Sequence, residues 1–230
     1  MIPWLTEPAF PPVTQALEEP NGLLAAGGSL EPHWLLASYR RGIFPWFSDG
    51  EPILWWSPDP RMILRPGHIK VSRSLRKTLR QGKFELRVDS DFPAVIHACG
   101  QLRAQTHGTW ITPHMERAYC RLHEQGFAHS IESWLDGQLV GGLYGVALDR
   151  AFFGESMFSM VTDASKVALV HLGELLEPRG FGVIDCQMTT AHLRSMGGEE
   201  IPRAQFVEEL NRLVSPLPTP QDWRRPDGDS

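Results

Sequence analysis

The stretch FGVIDCQM, residues 181–188, decides the predicted fold because it combines a short buried strand with polar side chains at its end. Val183 and Ile184, beside glycine, form the apolar run that indicates such a strand. Asp185 and Gln187 are two residues apart, so the alternation of side chains along a strand predicts that they share one face. Unpaired polar groups on a buried face are costly, so this pair either bonds to a loop or belongs to a site.

A second stretch, FFGESMFS at residues 152–159, favours the site. Its aromatic and apolar residues predict another buried strand, and it contains one acid, Glu155. Two strands that each place acids or amides among aromatic and methionine side chains indicate a pocket rather than a closed core.

The size and charge of the chain limit its class. The sequence has 230 residues, of which 42% are hydrophobic, enough for one large domain or two small ones. The net charge of −5 excludes a protein that coats nucleic acid with an overall basic surface. Contact with nucleic acid would therefore need a local basic patch.

The cysteines and the N-terminus predict a cytoplasmic protein. The three cysteines are odd in number and lack CxxC spacing, which indicates reduced thiols: Cys99, Cys120 and Cys186. The chain begins without a basic and apolar signal sequence. No run of about 18 apolar residues predicts a membrane span.

The histidines do not predict a metal site, because no HExxH motif and no paired Cys/His spacing occurs. Four of them are interpreted as surface or capping residues: His107, His114, His123 and His129. We therefore expect neither a metal nor another cofactor.

Residues 1–60 are rich in Pro, Gly and Trp and predict a small N-terminal α/β subdomain. Pro32 suits the first turn of a helix. Trp55 and Trp56 are interpreted as core, whereas Trp46, beside a Ser-Asp-Gly turn, is predicted to be an exposed platform.

A basic helix is predicted from Ser72, after a strand-like link over 61–66, because Leu75 and Leu79 lie at i and i+4. Its cations lie around the other side: Arg73, Arg76, Lys77 and Arg80. Such a run is usually a solvated helix face. In an acidic protein, with no acid before Glu85, it is also a candidate patch for binding phosphates.

The remaining sequence, 61–230, predicts a second, larger domain. A hairpin is expected across Leu135-Asp136-Gly137, and a long helix over about 165–176 is expected between the two polar strands. The segment from about 214 is Pro-rich and polar, so a loosely held tail is predicted.

The order helix, helix, hairpin, strand, long helix, strand predicts an α+β domain similar to the acyl-CoA N-acyltransferase (GNAT) fold. Enzymes of that fold that use acetyl-CoA need a glycine-rich loop before the long helix, where backbone approaches the pyrophosphate. Residues 156–163, SMFSMVTD, contain no glycine. An acyl donor other than CoA is therefore expected.

Ten motifs along residues 19–203 resemble the leucyl/phenylalanyl-tRNA–protein transferase family. They are EPNGLLAAGGSL, YRRGIFPWF, PILWWSPDPR, GTWIT, HSIE, LVGGLYGVA, FFGESMFS, ASK, IDCQ and EEIPR. The resemblance implies a monomeric enzyme that moves Leu or Phe, and Met less well, from aminoacyl-tRNA to proteins that begin with Arg or Lys. The product would be marked for degradation by the bacterial N-degron pathway.

The resemblance also implies a site. Asp185 and Gln187 would lie at the reaction centre, with Glu155 as a further acid. An apolar pocket for the amino acid would be formed by Leu143, Phe152, Met157, Leu172, Leu176 and Ile184. Aromatic rings around the terminal adenosine and the pocket mouth would be Trp46, Trp110 and Tyr119. The basic helix would then hold the acceptor stem.

Two other functions are left open by the residues alone. One is a small-molecule N-acyltransferase of the same fold, which the missing pyrophosphate loop disfavours. The other is a tRNA-binding module without catalysis, which would have no use for Glu155, Asp185 and Gln187 beside an apolar pocket.

Overall fold

The computed structural model describes residues 2–104 and 110–224. Within those ranges the strands form two sheets. The first has four strands in the order β1-β2-β4-β3. These strands are β1 (Trp4–Leu5), β2 (Leu23–Gly27), β3 (Phe44–Pro45) and β4 (Leu54–Trp56).

The second sheet has seven strands in the order β11-β5-β10-β9-β8-β7-β6. Its strands are β5 (Arg61–Leu64), β6 (Glu85–Val88), β7 (Ala128–Leu135), β8 (Gln138–Leu148), β9 (Ala151–Ser159), β10 (Val183–Gln187) and β11 (Glu199–Ile201). All its pairs are antiparallel except β9 with β10, which run parallel.

The helices of the described residues are α1 (Pro32–Tyr39), α2 (Arg73–Gln81), α3 (Phe92–Ala104), α4 (Pro113–Glu124), α5 (Ala164–Leu176), α6 (Ala191–Ser195) and α7 (Arg203–Leu213). The predicted α+β class is confirmed, and the elements of the larger domain follow the predicted N-acyltransferase-like order. Among the described helices, none combines the length and apolar character that a bilayer crossing requires.

Helices cover both faces of the large sheet. The strand β8 shows this, because its side chains alternate between two apolar cores, one on each face. Tyr144 and Val146 belong to the core under α3 and α4, whereas Leu143 and Ala147 belong to the core under α5. The turn between β7 and β8 places Asp136 and Gly137 at positive φ, the geometry of a tight hairpin turn.

The change of sheet occurs between Trp56 and Arg61, next to the predicted boundary at residue 60. The two parts share one apolar core, in which Ile43 and Trp55 from the first part lie with Ile63 and Phe206 from the second. The assignment of 1–60 and 61–230 as separate domains stays a prediction.

The tail differs from its prediction. Residues from 214 to 224 are held to the large domain instead of lying loosely on it. Ser215 donates its backbone N–H to Asp149 at 2.6 Å, and the Gln221 N–H donates to the carbonyl of Gly126 at 2.8 Å. Trp223 is buried and provides the apolar anchor that the polar composition concealed.

The histidines also differ in part from their predicted surface positions. His114 is exposed, but His129 is buried, stacks on Trp223 at 4.1 Å and contacts Asp89 at 2.8 Å. His123 is half-buried against Phe92. Outside the described residues lie His107, the start of the GTWIT motif and the last six residues of the tail.

Candidate active site

A cavity of about 540 Å³ opens where the parallel strands β9 and β10 separate. Their pairing extends from Ala151 and Val183 to Phe153 and Asp185. Beyond those residues β9 continues to pair with β8, and β10 continues to pair with β5, so the two strands are no longer joined to each other. Backbone separation of this kind leaves room for a ligand between the strands.

Two β-bulges bring polar side chains to this opening. On β9, Glu155 is the extra residue between Gly154 and Ser156 in the pairing with β8. On β10, Cys186 is the extra residue between Asp185 and Gln187 in the pairing with β5. A bulge redirects the side chains that follow it, so strict alternation ends at both places.

Most of the predicted pocket residues line this cavity. They are Trp46, Trp110, Leu143, Phe152, Met157, Leu172 and Ile184, together with Glu155 and Gln187. Gly145 makes room for one of them, since a Cβ atom there would lie 2.5 Å from the ring of Phe152. The cavity is therefore apolar along most of its wall, with polar groups gathered at the bulges.

Three predicted residues do not line the cavity: Asp185, Tyr119 and Leu176. Leu176 is fully buried in the core beneath α5. Leu169, on the same stripe of that helix, lines the cavity instead. The family resemblance implied the correct face of α5 but not which of its turns reaches the opening.

Asp185 is buried beneath the site in an ion pair that the sequence did not reveal. Arg61 donates to both carboxylate oxygens, at 2.8 and 2.7 Å, and neither side chain is exposed. The guanidinium lies 5.0 Å from the ring of Phe44 and 4.6 Å from that of Phe206. A β-bulge lies between Asp185 and Gln187, so simple alternation does not relate their side chains, and the expectation that they share one face stays a prediction.

Gln187 is held at both its backbone and its amide. Its backbone N–H donates to Asp185 Oδ1 at 2.9 Å, and its Nε2 donates to Glu155 Oε1 at 2.9 Å. The residue has a φ of 63°, a conformation that few non-glycine residues adopt. Because Nε2 faces Glu155, the amide carbonyl oxygen points away from Glu155.

Glu155 is 6% exposed and accepts a hydrogen bond from the Tyr119 hydroxyl at 2.9 Å. Burial raises its pKa to about 7, and the nearby charge of Asp185 acts in the same direction. Hydrogen bonds from Tyr39, Tyr119 and Gln187 oppose the rise without cancelling it. Glu155 therefore changes charge near neutral pH.

Tyr119 has a different place from the one predicted. It is fully buried, so it cannot offer a ring to a base. Its hydroxyl instead joins Glu155 to the hydroxyl of Tyr39. Burial raises the pKa of both phenols well above 10, so they remain hydrogen-bond donors. Tyr39 was not singled out by the sequence, which gives no signal for so distant a partner.

The tryptophans at the cavity fit their predicted positions. Trp46 is 39% exposed and packs edge-on against Trp56, whose Nε1 donates to the Trp46 carbonyl at 2.7 Å. Trp110 is half-buried. Trp55 is fully buried, as expected of a core residue, whereas Trp56, also predicted to be core, is only partly buried against the same core.

The basic helix α2 is formed as predicted. Ser72 caps its N-terminus by accepting a hydrogen bond from the N–H of Leu75, and Leu75 is buried. Gly82, at a φ of 58°, ends it. The cations Arg73, Arg76, Lys77 and Arg80 line one surface depression.

Further residues of the cavity were not found from the sequence. Arg103 lines it and donates to the Ser156 hydroxyl at 3.0 Å, and His192 lines it from α6. Neither belongs to a motif: Arg103 lies far in sequence from the polar strands, and His192 follows β10 by five residues but carries no pattern that marks it. Within residues 2–104 and 110–224, no cluster of His, Cys, Asp or Glu is arranged to hold a metal ion.

The fold is α+β with an apolar cavity between two strands of its large sheet, and the family models that match this chain are those of a transferase. Two family models match the chain. The leucyl/phenylalanyl-tRNA protein transferase model covers residues 63–211, and the N-terminal domain model of the same family covers residues 28–59. The chain belongs to the leucyl/phenylalanyl-tRNA–protein transferase family.

Individual relatives agree with this assignment. The leucyl/phenylalanyl-tRNA–protein transferase of Azoarcus sp. (strain BH72) is 66% identical over 97% of this chain and 95% of its own length. The enzyme of the same name from Aromatoleum aromaticum is 63% identical over 97% and 94%. A GCN5-related N-acetyltransferase from Kribbella flavida is a distant structural likeness, 11% identical with a TM-score of 0.38 over 74% of this chain and 60% of that chain.

Proposed function

We propose that this protein transfers Leu or Phe, and Met less well, from aminoacyl-tRNA to the α-amino group of proteins that begin with Arg or Lys. The transfer would mark those proteins for degradation by the N-degron pathway in the cytoplasm, with the enzyme acting as a monomer. Family membership supports the reaction class. The observation on which the proposal rests is the Glu155–Gln187 hydrogen bond at the polar end of an otherwise apolar cavity.

The apolar wall is suited to the side chain of the transferred amino acid. Leu143, Phe152, Leu172 and Ile184 are buried residues that border the opening. Met157 is half-buried there, and its flexible thioether adapts to either a branched or an aromatic ligand. A pocket of this kind discriminates by shape at about 1–3 kcal/mol per methyl group.

The tRNA would be held at two places. Trp46 and Trp110, at the cavity wall, are placed to stack on the terminal adenosine, a contact worth about 1–3 kcal/mol per base. The four cations of α2 would contact phosphates of the acceptor stem without reading its sequence. No cofactor is needed, because the ester to the tRNA is already activated.

The reaction forms a bond between the incoming nitrogen and the ester carbonyl carbon, and the ester C–O bond breaks. An N-terminal amine has a pKa of about 7.7–8.0, so a fair fraction is neutral at physiological pH. The carbonyl oxygen of Gln187 accepts a hydrogen bond from that amine and fixes its direction of attack. The nitrogen loses one proton, and the ribose oxygen that leaves takes it up and becomes a hydroxyl.

Glu155 and Asp185 act around Gln187 in this proposal. Glu155 holds the Gln187 amide and attracts a cationic ammonium of one substrate. Asp185, neutralised by Arg61, acts on the backbone of Gln187 and does not touch the substrate. It is a positioning residue, and its contribution is to keep Gln187 in an unfavourable backbone conformation.

Incubation with radiolabelled Leu-tRNA and an Arg-initiated peptide tests the function. We expect label in the peptide, and none in the same peptide with an acetylated N-terminus. A small-molecule N-acyltransferase would instead bind acetyl-CoA in calorimetry, and a binding module would hold the tRNA without transfer. Either of those outcomes contradicts the proposal.

A further inference from the structure

Tyr144 is a buried residue of the cavity wall whose hydroxyl has no use in the structure described so far. It lies on β8 opposite Ser156, next to the bulge at Glu155. Its side chain is 0% exposed, and its ring packs edge-on against Phe92 and Tyr119, each at 5.7 Å. The ring is thus fixed by its neighbours, while the residue borders the polar end of the cavity.

The hydroxyl of Tyr144 finds no hydrogen-bond partner among the described residues. The two other phenols nearby differ, since Tyr39 and Tyr119 are hydrogen-bonded to each other and Tyr119 to Glu155. A buried hydroxyl without a partner lowers the stability of the folded protein relative to phenylalanine at the same place. Such a group requires an explanation, and a ligand in the adjoining cavity supplies one.

We propose that the Tyr144 hydroxyl donates a hydrogen bond to an oxygen of the aminoacyl ester when the substrate fills the cavity. This rests on the proposed function, and it adds a donor to a site in which Gln187 was assigned as an acceptor. The phenol is suited to donation, because burial and the nearby Glu155 raise its pKa well above 10 and keep it protonated.

Placement explains why the acceptor is an ester oxygen rather than the amino-acid side chain. Tyr144 pairs with Ser156, which follows Glu155 on β9 and accepts a hydrogen bond from Arg103, so the cavity residues nearest to it are polar. Leu172 and Ile184, which would contact the apolar side chain of the substrate, belong to the other core, beneath α5. The polar residues beside Tyr144 would therefore lie next to the ester of the substrate, where the reaction occurs.

Tyr144→Phe tests the inference, because it removes the oxygen and keeps the ring. We expect kcat/KM for Leu-tRNA to fall about tenfold, the effect of losing one hydrogen bond of about 1.4 kcal/mol. A non-reactive amide analogue of leucyl-adenosine should bind more weakly. The melting temperature of the free enzyme should rise, because an unsatisfied group has been removed.

Ser57→Ala is the matched control. Ser57 is also buried with an unpartnered hydroxyl, and it does not line the cavity. It should show the gain in melting temperature without the loss of activity. The inference is overturned if Tyr144→Phe transfers Leu within twofold of the unchanged enzyme, or if its melting temperature falls. Absence of transfer by the unchanged enzyme would instead reject the proposed function.

Discussion

Arg61 binds both carboxylate oxygens of Asp185 in a pair from which solvent is excluded, at 2.8 and 2.7 Å. The same guanidinium donates to the carbonyl of Gly42 at 3.0 Å, which connects the large sheet to the N-terminal part of the chain. Asp185 in turn accepts the backbone N–H of Gln187. One buried cation therefore supports the polar end of the cavity from below.

Asp185→Ala should both destabilise the protein and reduce transfer. Removal of one partner leaves the other charge buried, which costs about 3–5 kcal/mol in the free energy of unfolding. Urea denaturation measures that loss. In the folded fraction, kcat should fall sharply because Gln187 loses its backbone anchor, whereas binding of aminoacyl-tRNA should be retained.

The double variant Arg61→Met, Asp185→Leu separates the two effects. It removes both charges, so its loss of stability should be smaller than that of Asp185→Ala. Its kcat should remain low, because the acceptor for the Gln187 N–H is still missing. Equal loss of binding and rate in Asp185→Ala would count against a positioning role.

Stability should depend on pH through Glu155. Its pKa is raised in the folded protein from 4.5 to about 7, so the folded state binds more protons than the unfolded state between those values. The free energy of unfolding should therefore fall as pH rises from about 4.5 to 7, by about 3 kcal/mol, and remain at the lower value above.

Glu155→Gln is the variant that isolates this dependence in chemical denaturation at a series of pH values. The amide keeps hydrogen-bonding atoms toward Tyr119 and Gln187 but cannot ionise. Its stability should be flat where that of the unchanged protein declines, and it should be the more stable form at pH 8. Parallel curves for the two proteins would show that Glu155 does not titrate as described.

Local patterns were sufficient to predict much of the fold. The basic helix with its buried Leu75, the tight turn at Asp136 and Gly137, and the apolar strands are encoded within a few residues, and each occurs in the structure. The apolar cavity residues followed from the same strands together with the family resemblance. These are features that neighbouring residues specify by themselves.

Features that depend on distant partners were missed or misassigned. The bulges at Glu155 and Cys186 arise from pairing with other strands, so the alternation assumed for both strands could not reveal them. Arg61 is 124 residues from Asp185, and no local pattern announces that pair. The polar composition predicts a loosely held tail, whereas the buried ring of Trp223 and backbone hydrogen bonds from Ser215 and Gln221 anchor the tail as far as residue 224.

Trp223 should be necessary for stability despite its place near the end of the chain. It stacks on His129 and lies 5.7 Å from the ring of Phe152, which forms part of the cavity wall. Trp223→Ala should reduce the free energy of unfolding by about 3–5 kcal/mol. Trp4→Ala is the control: that ring is 64% exposed, so its removal should change stability by less than about 0.5 kcal/mol. Similar values for the two variants would contradict the anchoring of the tail.

The cations of α2 should determine how salt affects tRNA binding. Replacement of Arg76 and Arg80 by Gln should weaken binding of any tRNA alike and reduce the slope of log K against log salt by about 1 per charge. Arg87→Gln, which removes a cation already paired with Glu85 on β6, is the control and should leave the slope unchanged. Filter binding at several salt concentrations gives the slopes, and an unaltered slope in the double variant would remove α2 from the tRNA interface.

Leu172 and Leu176 distinguish the cavity from the core on a single helix. Both leucines of α5 are buried, so replacement of either by Ala should reduce stability by about 2–5 kcal/mol. Leu172 lines the cavity and Leu176 does not. Leu172→Ala should therefore enlarge the space for the substrate and raise the ratio of Phe to Leu transfer by about tenfold, within the 1–3 kcal/mol that a methylene contributes to discrimination.

Competition between Phe-tRNA and Leu-tRNA measures the ratio below the melting temperature of both variants. Because the two variants share their helix, residue type and stability loss, a change of ratio in Leu172→Ala alone would arise from the cavity, whereas a change in Leu176→Ala would place the substrate deeper under α5 than this cavity extends.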